Sequence, residues 1–190
     1  GGGTSAYTVA IAADIQKKFM VPTLAHLTCV NSSREGILAQ LELLRREGIE
    51  NILALRGDLP AGVEPQSQWA YRYAAQLVAA IRDYGGFCVG GACYPEVHPE
   101  SRSQREDIAR LREKVDAGCE FLTTQMFFDN NILYNFLYRI LAKGINVPVV
   151  AGIMPVTNSR QIKRICALSG TELPPRFKAI ADKFADPRGF

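Results

Sequence analysis

The sequence predicts an α/β fold in which parallel β-strands alternate with helices. Five apolar stretches recur along the 190 residues, and a segment with helical periodicity follows each of them. The predicted strands end near residues 29, 56, 94, 127 and 154, which gives steps of 27, 38, 33 and 27 residues. Such regular strand–helix units are typical of a parallel sheet with right-handed crossovers. Polar clusters follow the strands, and α/β folds build their sites at the carboxyl ends of parallel strands.

The first half of the chain predicts two strands and three helices. Asn31, Ser32 or Ser33 follows the first apolar stretch and is suited to cap the next helix, because a short polar side chain accepts hydrogen bonds from the first turn. Gly48 lies where that helical pattern ends, as is typical of a helix C-terminus. The expected elements are a helix over 6–19, a strand over 24–30, a helix through 47, a strand over 49–55 and a helix over about 68–84.

The second half continues the same alternation. Gly118 follows a helical pattern and precedes an apolar stretch, so we expect a helix to end there. The expected elements are a strand over 87–94, a helix over 103–117, a strand over 121–128, a helix over 132–143, a strand over 147–154 and short helices over 159–168 and 175–184.

Composition excludes several classes of protein. The net charge of +3 is small and its basic residues are dispersed, which argues against a nucleic-acid partner. The longest apolar run, Val147–Val156, is far shorter than the roughly 20 residues of a membrane span. The five cysteines form no CxxC pattern, so we expect reduced, largely buried thiols and no structural zinc site. A cytoplasmic or organellar location is expected.

Both a doubly wound sheet and a (β/α)₈ barrel fit the alternation. No GxGxxG pattern follows a strand, which argues against a Rossmann-type dinucleotide site. A complete barrel needs eight strands and about 250 residues, whereas the sequence supplies five clear strands. The sheet is therefore either open or part of a barrel.

Arg56-Gly57-Asp58 lies where the second strand ends. Glycine allows a ligand to approach the backbone closely, and the flanking residues would meet it with opposite charges. An ordinary turn with a surface ion pair explains the motif equally well. A cell-adhesion role is disfavoured because the tripeptide follows a buried strand.

The segment 94–100, YPEVHPE, combines two prolines with Tyr94, His98 and two carboxylates. The prolines hold the backbone extended and remove two hydrogen-bond donors, so the loop is stiff. A stiff loop at a strand end suits the fixed orientation of a polar ligand. The alternative is a rigid connection with a solvated histidine.

Asp107 and Lys114 are seven residues apart, or two helical turns, and project from one face of a helix. Lys114 is suited to a phosphate and Asp107 to a sugar hydroxyl. A solvated charged face explains the spacing as well.

Gln125 interrupts the aromatic stretch TTQMFFD. An amide within an apolar strand must be hydrogen-bonded or face a cavity, and aromatic neighbours suit a flat heteroaromatic ligand. Satisfaction within the core is the alternative. Gln161 belongs to a further cluster after the fifth strand, where a simple strand-to-helix turn is the alternative.

Six segments in one order along almost the whole chain resemble the methylenetetrahydrofolate reductase family: HLTC, NILALRGDLP, YPEVHPE, KVDAG, TTQMFFD and GIMPVTN. The resemblance implies a (β/α)₈ TIM barrel, with about five βα units present, so that residues 1–190 would be a partial FAD-binding catalytic domain. It implies that FAD accepts a hydride from NADH or NADPH and passes it to 5,10-methylenetetrahydrofolate, which gives 5-methyltetrahydrofolate. It also implies a cytoplasmic enzyme that forms a homo-oligomer when full length.

The resemblance also implies roles for individual residues. Asp58 and Gln125 would take part in catalysis, Asp58 by stabilising the cationic iminium form of the folate and Gln125 by contacting the substrate on the flavin. Gln161 would help to hold folate. The residues implied to border FAD are His26, Arg56, Gly57, Asp58, Tyr73, Ala74, Tyr94, His98, Asp107 and Lys114, the last of them toward the diphosphate.

The family's first barrel strand carries a catalytic glutamate in an EFFPP-type motif, and this sequence holds no such segment. The second and last strands are also not matched, and Glu96 and Glu100 do not correspond to the glutamate. We therefore expect a truncated domain, or one whose ends lie outside the sequence, that neither holds FAD tightly nor turns over alone.

Two other functions fit parts of the sequence. A non-catalytic truncated paralogue could act as a binding or assembly subunit. A barrel lyase or aldolase would need a Schiff-base lysine or a glycine-rich phosphate loop at a strand end, and no predicted strand carries either.

Overall fold

The computed structural model describes residues 5–30, 32–57, 69–156 and 159–183. Helices and strands alternate through these residues, as the sequence predicts. The elements are α1 (Ser5–Phe19), β1 (Leu24–Thr28), α2 (Arg34–Arg46), β2 (Asn51–Leu55), α3 (Ala74–Tyr84), β3 (Cys88–Cys93), α4 (Gln104–Asp116), β4 (Phe121–Thr124), α5 (Asn130–Ala142), β5 (Val149–Val150), α6 (Ser159–Ser169) and α7 (Pro175–Lys183).

The strands form one five-stranded sheet in the sequential order β1-β2-β3-β4-β5. The β1–β2 and β2–β3 pairs are parallel, with Leu24 opposite Asn51 and Asn51 opposite Cys88. This order follows when each helix returns the chain to the start of the next parallel strand. The predicted α/β fold of the barrel family, with five βα units in the described residues, is confirmed.

The chain divides into two compact units, Gly1–Ala92 with Glu113–Leu122 and Cys93–Arg112 with Thr123–Phe190. In the first unit, alternate residues of β1 are buried, and α1 packs against β1 and α2. Helix α2 begins at the predicted cap, where the Ser33 side chain accepts a hydrogen bond from the Gly36 amide, and Gly48 follows its end with φ of 73°. The apolar core of this unit includes Leu27, Ile37, Leu41, Ile52, Leu77, Ile81 and Val89.

The second unit has a core of its own around α4 and α5. Its buried side chains include Ile108, Leu111, Met126, Phe136, Ile140 and Ile162. The Phe128 and Phe177 rings pack 5.2 Å apart between the loop after β4 and α7. Two hydroxyl side chains, those of Ser169 and Thr171, are also buried here and bond to each other over 3.0 Å.

Three predicted elements are shorter in the structure by at least four residues, and β1, β2 and β3 are each shorter by two. Helix α3 begins at Ala74 rather than near 68, because the Gln76 side chain accepts the amide hydrogens of residues 72 and 73. Strand β4 ends at Thr124 rather than at 128, and β5 is limited to two residues. Beyond β5, the Gly152 amide donates to the Thr124 side chain instead of to a strand backbone.

The five cysteines are free thiols, and Cys29, Cys93 and Cys119 are buried. This confirms the expectation of reduced, largely buried thiols. In the described part of the chain, every helix is too short or too polar to cross a membrane. The predicted loop over 59–65 and the start of the predicted helix near 68 lie outside the described residues.

Candidate functional site

In the first unit, His26 lies on the exposed face of β1. Ala25 and Leu27 on the opposite face are buried, whereas His26 and its neighbours two residues away are exposed. Paired residues of a parallel sheet share a face, so His26 lies beside Leu53 of β2. The imidazole is therefore accessible to a ligand that covers this face.

The next predicted site residues, Arg56 and Gly57, directly follow β2. The Arg56 carbonyl extends the β1–β2 pairing by accepting the Val30 amide over 2.8 Å. Gly57 has φ of 88°, and an added Cβ would lie 3.1 Å from the Cβ of Thr28. A side chain at this position would be both strained and crowded, so glycine keeps the backbone close to the neighbouring strand end. Asp58 lies outside the described residues.

Tyr73 and Ala74 mark the start of α3. Tyr73 is half exposed, and the Arg72 guanidinium lies 5.4 Å from the centre of its ring. The Gln76 side-chain oxygen accepts the Tyr73 amide over 3.1 Å, which fixes the backbone where the helix begins. These residues present an aromatic surface and a helix N-terminus next to each other.

Lys114, near the end of α4, is the predicted phosphate contact. Its ammonium donates to the Ala92 carbonyl at the end of β3 over 2.5 Å. Its side chain crosses Gly91, where an added Cβ would lie only 2.6 Å from Cδ of Lys114. Gly91 thus makes room for the lysine stem, and the strand carbonyl places the charge at the strand end. An ammonium has three donors, of which this bond uses one.

In the second unit, Tyr94 and His98 lie together in the loop after β3. Their rings meet edge to face, with centres 4.6 Å apart. The His98 Nδ1 accepts the Glu100 amide over 3.1 Å, so the neutral imidazole carries its hydrogen on Nε2. Both side chains are half-buried. The histidine is therefore partly shielded from solvent and bonded within its own loop.

Asp107, in the first turn of α4, binds this loop. One carboxylate oxygen accepts the His98 amide over 3.3 Å, and the other accepts the Ser101 hydroxyl over 3.0 Å. The sequence suggested a sugar hydroxyl for this carboxylate. In the structure its two described bonds hold the loop against the helix, although a carboxylate has about four acceptor positions and could also bind a ligand.

Gln125 lies just beyond β4 and is half-buried, so its expected position inside an apolar strand is wrong. Its backbone amide still donates to the Cys93 carbonyl over 2.7 Å. Its side-chain oxygen accepts the following amide, that of Met126, over 3.0 Å. This local bond turns the chain out of the strand and leaves the amide group of Gln125 at the strand end.

The turn after β5 is anchored to the end of β4. The Gly152 amide donates to the buried Thr124 hydroxyl over 2.8 Å. An added Cβ at Gly152 would overlap the Thr124 carbonyl oxygen. The chain between β5 and α6 therefore passes directly over the end of β4. Gln161 is exposed and lies in the first turn of α6.

Sequence reasoning missed one connection in the second unit. The segment Ser169–Glu172, which we call the strap, follows α6 and contacts the loops after β3 and β4. The Glu172 amide donates to the Glu96 carboxylate over 3.1 Å, and the Thr171 hydroxyl donates to the Met126 carbonyl over 3.3 Å. Burial raises the pKa of Glu96. The two prolines near Glu96 indicated a stiff loop. They could not indicate the partner of Glu96, because Glu172 is 76 residues away in the sequence.

Each unit, taken by itself, offers polar and aromatic groups at its strand ends. The first unit offers the cations Arg56 and Lys114 at strand ends, together with the aromatic ring of Tyr73. The second unit offers Tyr94, the Nε2–H of His98 and the amide of Gln125. Among the described residues, no cluster of three or more His, Cys, Asp or Glu side chains could hold a metal ion. The cations of the first unit suit a phosphate group, and the rings and amide of the second unit suit a heteroaromatic group.

Comparison with known proteins shows what the chain is similar to. The model of the family described as methylenetetrahydrofolate reductase matches residues 1–187. The chain is 38% identical over 201 residues to methylenetetrahydrofolate reductase (NADH) 1 of Arabidopsis thaliana, and the match covers 98% of this chain and 34% of that relative. It is 38% identical over 168 residues to the 5,10-methylenetetrahydrofolate reductase of Pectobacterium carotovorum subsp. carotovorum, with 88% and 55% covered.

A third relative, a probable methylenetetrahydrofolate reductase (NADPH) of Caenorhabditis elegans, is 39% identical over 166 residues, with 86% of this chain and 25% of the relative covered. The chain thus spans between 25% and 55% of the length of these three relatives.

Solved structures share the fold at low sequence identity. A putative lyase/mutase from Burkholderia cenocepacia J2315 has a TM-score of 0.56 and 18% identity, covering 94% of this chain and 63% of that one. An uncharacterised protein from Clostridium thermocellum, described as binding two copies of 5-methyl-5,6,7,8-tetrahydrofolic acid, has a TM-score of 0.51 and 13% identity, covering 97% and 72%. At these identities the likeness shows the fold alone.

Proposed function

Because the chain belongs to the methylenetetrahydrofolate reductase family, we propose that it carries cofactor- and substrate-binding residues of an FAD-dependent reductase. The reaction converts 5,10-methylenetetrahydrofolate into 5-methyltetrahydrofolate with NADH or NADPH as the hydride donor. The observation that carries the proposal is the family match over residues 1–187, which includes every strand-end motif described above. Relatives named for NADH and for NADPH are both similar to the chain, so either nucleotide is proposed.

When bound, FAD would supply the hydride chemistry, and the protein would supply orientation and electrostatics. Lys114 would contact the diphosphate, since its ammonium is held at the end of β3 by the Ala92 carbonyl. Arg56 would add a second positive charge at the end of β2. His26 would contact the flavin from the exposed face of β1. Gly57, whose backbone lies close to Thr28 at the end of β1, would border the cofactor as well.

Residues of the second unit would contribute in three ways. The Tyr94 and His98 rings would contact the cofactor, with the Nε2–H of His98 as a donor. Asp107 would contribute partly by holding the loop after β3, which carries Tyr94 and His98, in position. Gln125 would contact the substrate, and Gln161 would help to hold folate.

The remaining proposed roles rest on the resemblance. Tyr73 and Ala74 would border the cofactor at the start of α3. Asp58 would stabilise the positive charge of the iminium form of the folate, because a carboxylate beside a developing cation lowers the barrier to hydride transfer.

The experiment is a fluorescence titration of FAD and, separately, of riboflavin, which lacks the diphosphate. We expect Lys114→Met to weaken FAD binding about tenfold, the usual size of a lost charge-assisted hydrogen bond, and to leave riboflavin binding unchanged. Lys143→Met is the matched control, because Lys143 is exposed at the end of α5 and should not affect either flavin.

Circular dichroism should show the same helix content in both variants. Equal weakening of FAD and riboflavin by Lys114→Met would indicate damage to the fold around Gly91 instead of a lost diphosphate contact. Unchanged FAD affinity would remove Lys114 from the proposed site.

A further inference from the structure

The strap Ser169–Glu172 is held by contacts to two site loops of the second unit. Thr171 is 7% exposed, and its hydroxyl donates to the Met126 carbonyl, next to Gln125. Gly170 has φ of 70° and packs against Pro99, where an added Cβ would lie 3.1 Å from Cγ. The glycine thus brings the strap backbone close to the loop after β3.

The carboxylate of Glu96 provides the third contact. Its two oxygens lie 3.1 Å and 3.3 Å from the Glu172 amide nitrogen, so one backbone N–H points between them. The partner is a backbone amide, so the side chain at position 172 takes no part in the hydrogen bond itself. A charged acceptor makes such a bond stronger than a neutral one.

Glu96 lies at the centre of the connection because Tyr94 and His98 are each two residues away from it in the same loop. The strap itself directly continues α6, which carries Gln161. The Glu96 carboxylate therefore joins two parts of the second unit. One is the loop after β3, which we propose contacts the flavin, and the other is the strap at the end of α6, the helix that we propose helps to hold folate.

We propose that Glu96 is a positioning residue for folate binding, acting by fixing the strap and thereby the end of α6. This inference rests on the proposed function, since it assigns Glu96 to the folate side of that site. Glu96 does not correspond to the family's catalytic glutamate, so the sequence assigned it no role. The role proposed here is to hold the strap, and it involves no proton transfer.

The first part of the test needs no ligand and uses hydrogen exchange of the strap amides, read by mass spectrometry in the full chain. Glu96→Ala removes the acceptor and should speed exchange in the strap about tenfold, in proportion to the lost charge-assisted bond. Glu96→Gln keeps a neutral acceptor and should speed exchange less. Unchanged exchange in Glu96→Ala would overturn the proposal.

Position 172 supplies a matched pair of variants. Glu172→Ala keeps the amide N–H and should leave exchange of the neighbouring strap amides at the wild-type rate. Glu172→Pro removes the N–H and should reproduce the effect of Glu96→Ala. Glu100→Gln, an exposed carboxylate of the same loop, should have no effect.

The second part measures affinity for 5-methyltetrahydrofolate by calorimetry and affinity for FAD by fluorescence. Glu96→Ala should weaken folate binding about tenfold and change FAD affinity much less, with Glu96→Gln partly restoring folate binding. Faster strap exchange with unchanged folate affinity would show a purely structural contact and overturn the positioning role.

Failure of the proposed function gives a different result. If the wild-type chain bound no folate while Glu96→Ala still loosened the strap, the contact would stand but folate binding and the role assigned to Glu96 would both be rejected.

Discussion

Replacement of Gly152 by alanine tests the turn that follows β5. The added methyl group would overlap the Thr124 carbonyl oxygen, whereas an unstrained carbon–oxygen contact needs about 3.3 Å. The obstacle is a backbone atom, so it cannot rotate away as a side chain would. The turn must therefore move by about 1 Å, which also strains the 2.8 Å bond between the Gly152 amide and the Thr124 hydroxyl.

The expected cost follows from these two effects. Overpacking of a close-packed site typically costs about 1–3 kcal/mol, and the weakened hydrogen bond adds about 1 kcal/mol. We expect Gly152→Ala to lower the free energy of unfolding by about 3 kcal/mol. For a chain of this length, that corresponds to a fall in Tm of about 6–12 °C.

Thermal unfolding followed by circular dichroism measures this effect. The control is Ile153→Ala, because the neighbouring Ile153 side chain is 82% exposed and its loss should change Tm very little. A Tm for Gly152→Ala equal to that of the wild type would show that the turn does not pass over the Thr124 carbonyl as described.

Two further predictions concern the same strand end and the cysteines. Thr124→Val keeps the shape of the side chain but leaves the Gly152 amide without its acceptor. Tm should therefore fall by about 2–4 °C. A Tm at or above the wild-type value would contradict the hydrogen bond between Gly152 and Thr124. Burial raises the pKa of both Cys29 and Cys119 to about 11, so at neutral pH their reactive thiolate forms are scarce. Iodoacetamide labelling of the native chain, mapped by mass spectrometry, should modify the half-buried Cys88 and Cys166 first. Labelling of Cys29 and Cys119 should accelerate as pH rises toward 11, and early labelling of Cys29 at neutral pH would contradict the described burial.

Features with a local cause were predictable from the sequence. The cap at Ser33 depends on a bond to an amide three residues away, and Gly48 ends its helix through its own backbone conformation. The alternation of strands and helices follows from apolar periodicity, which reports burial directly. The sequence assigned Tyr94 and His98 to one short, proline-stiffened loop, and the structure adds the contact between their rings.

Features that the apolar pattern of the sequence does not report were not predictable. Gln125 follows an apolar stretch that continues beyond it, and only the bond from the Met126 amide shows that the strand has ended. Asp107 was expected to face a ligand, yet its described bonds go to the loop after β3. The bond between the Glu96 carboxylate and the Glu172 amide joins residues 76 positions apart, and no periodicity in the sequence encodes such a contact.

The most direct test of the account is the visible absorbance spectrum of FAD mixed with the purified chain, recorded before and after desalting. We predict a perturbed flavin band while FAD is in excess, because of the residues that we propose to bind the cofactor. We predict a colourless protein after desalting, since only five barrel strands are described. A spectrum identical to that of free FAD at every concentration would contradict the proposed cofactor. A flavin band that stays with the protein through desalting would instead contradict the expectation that the chain does not hold FAD tightly.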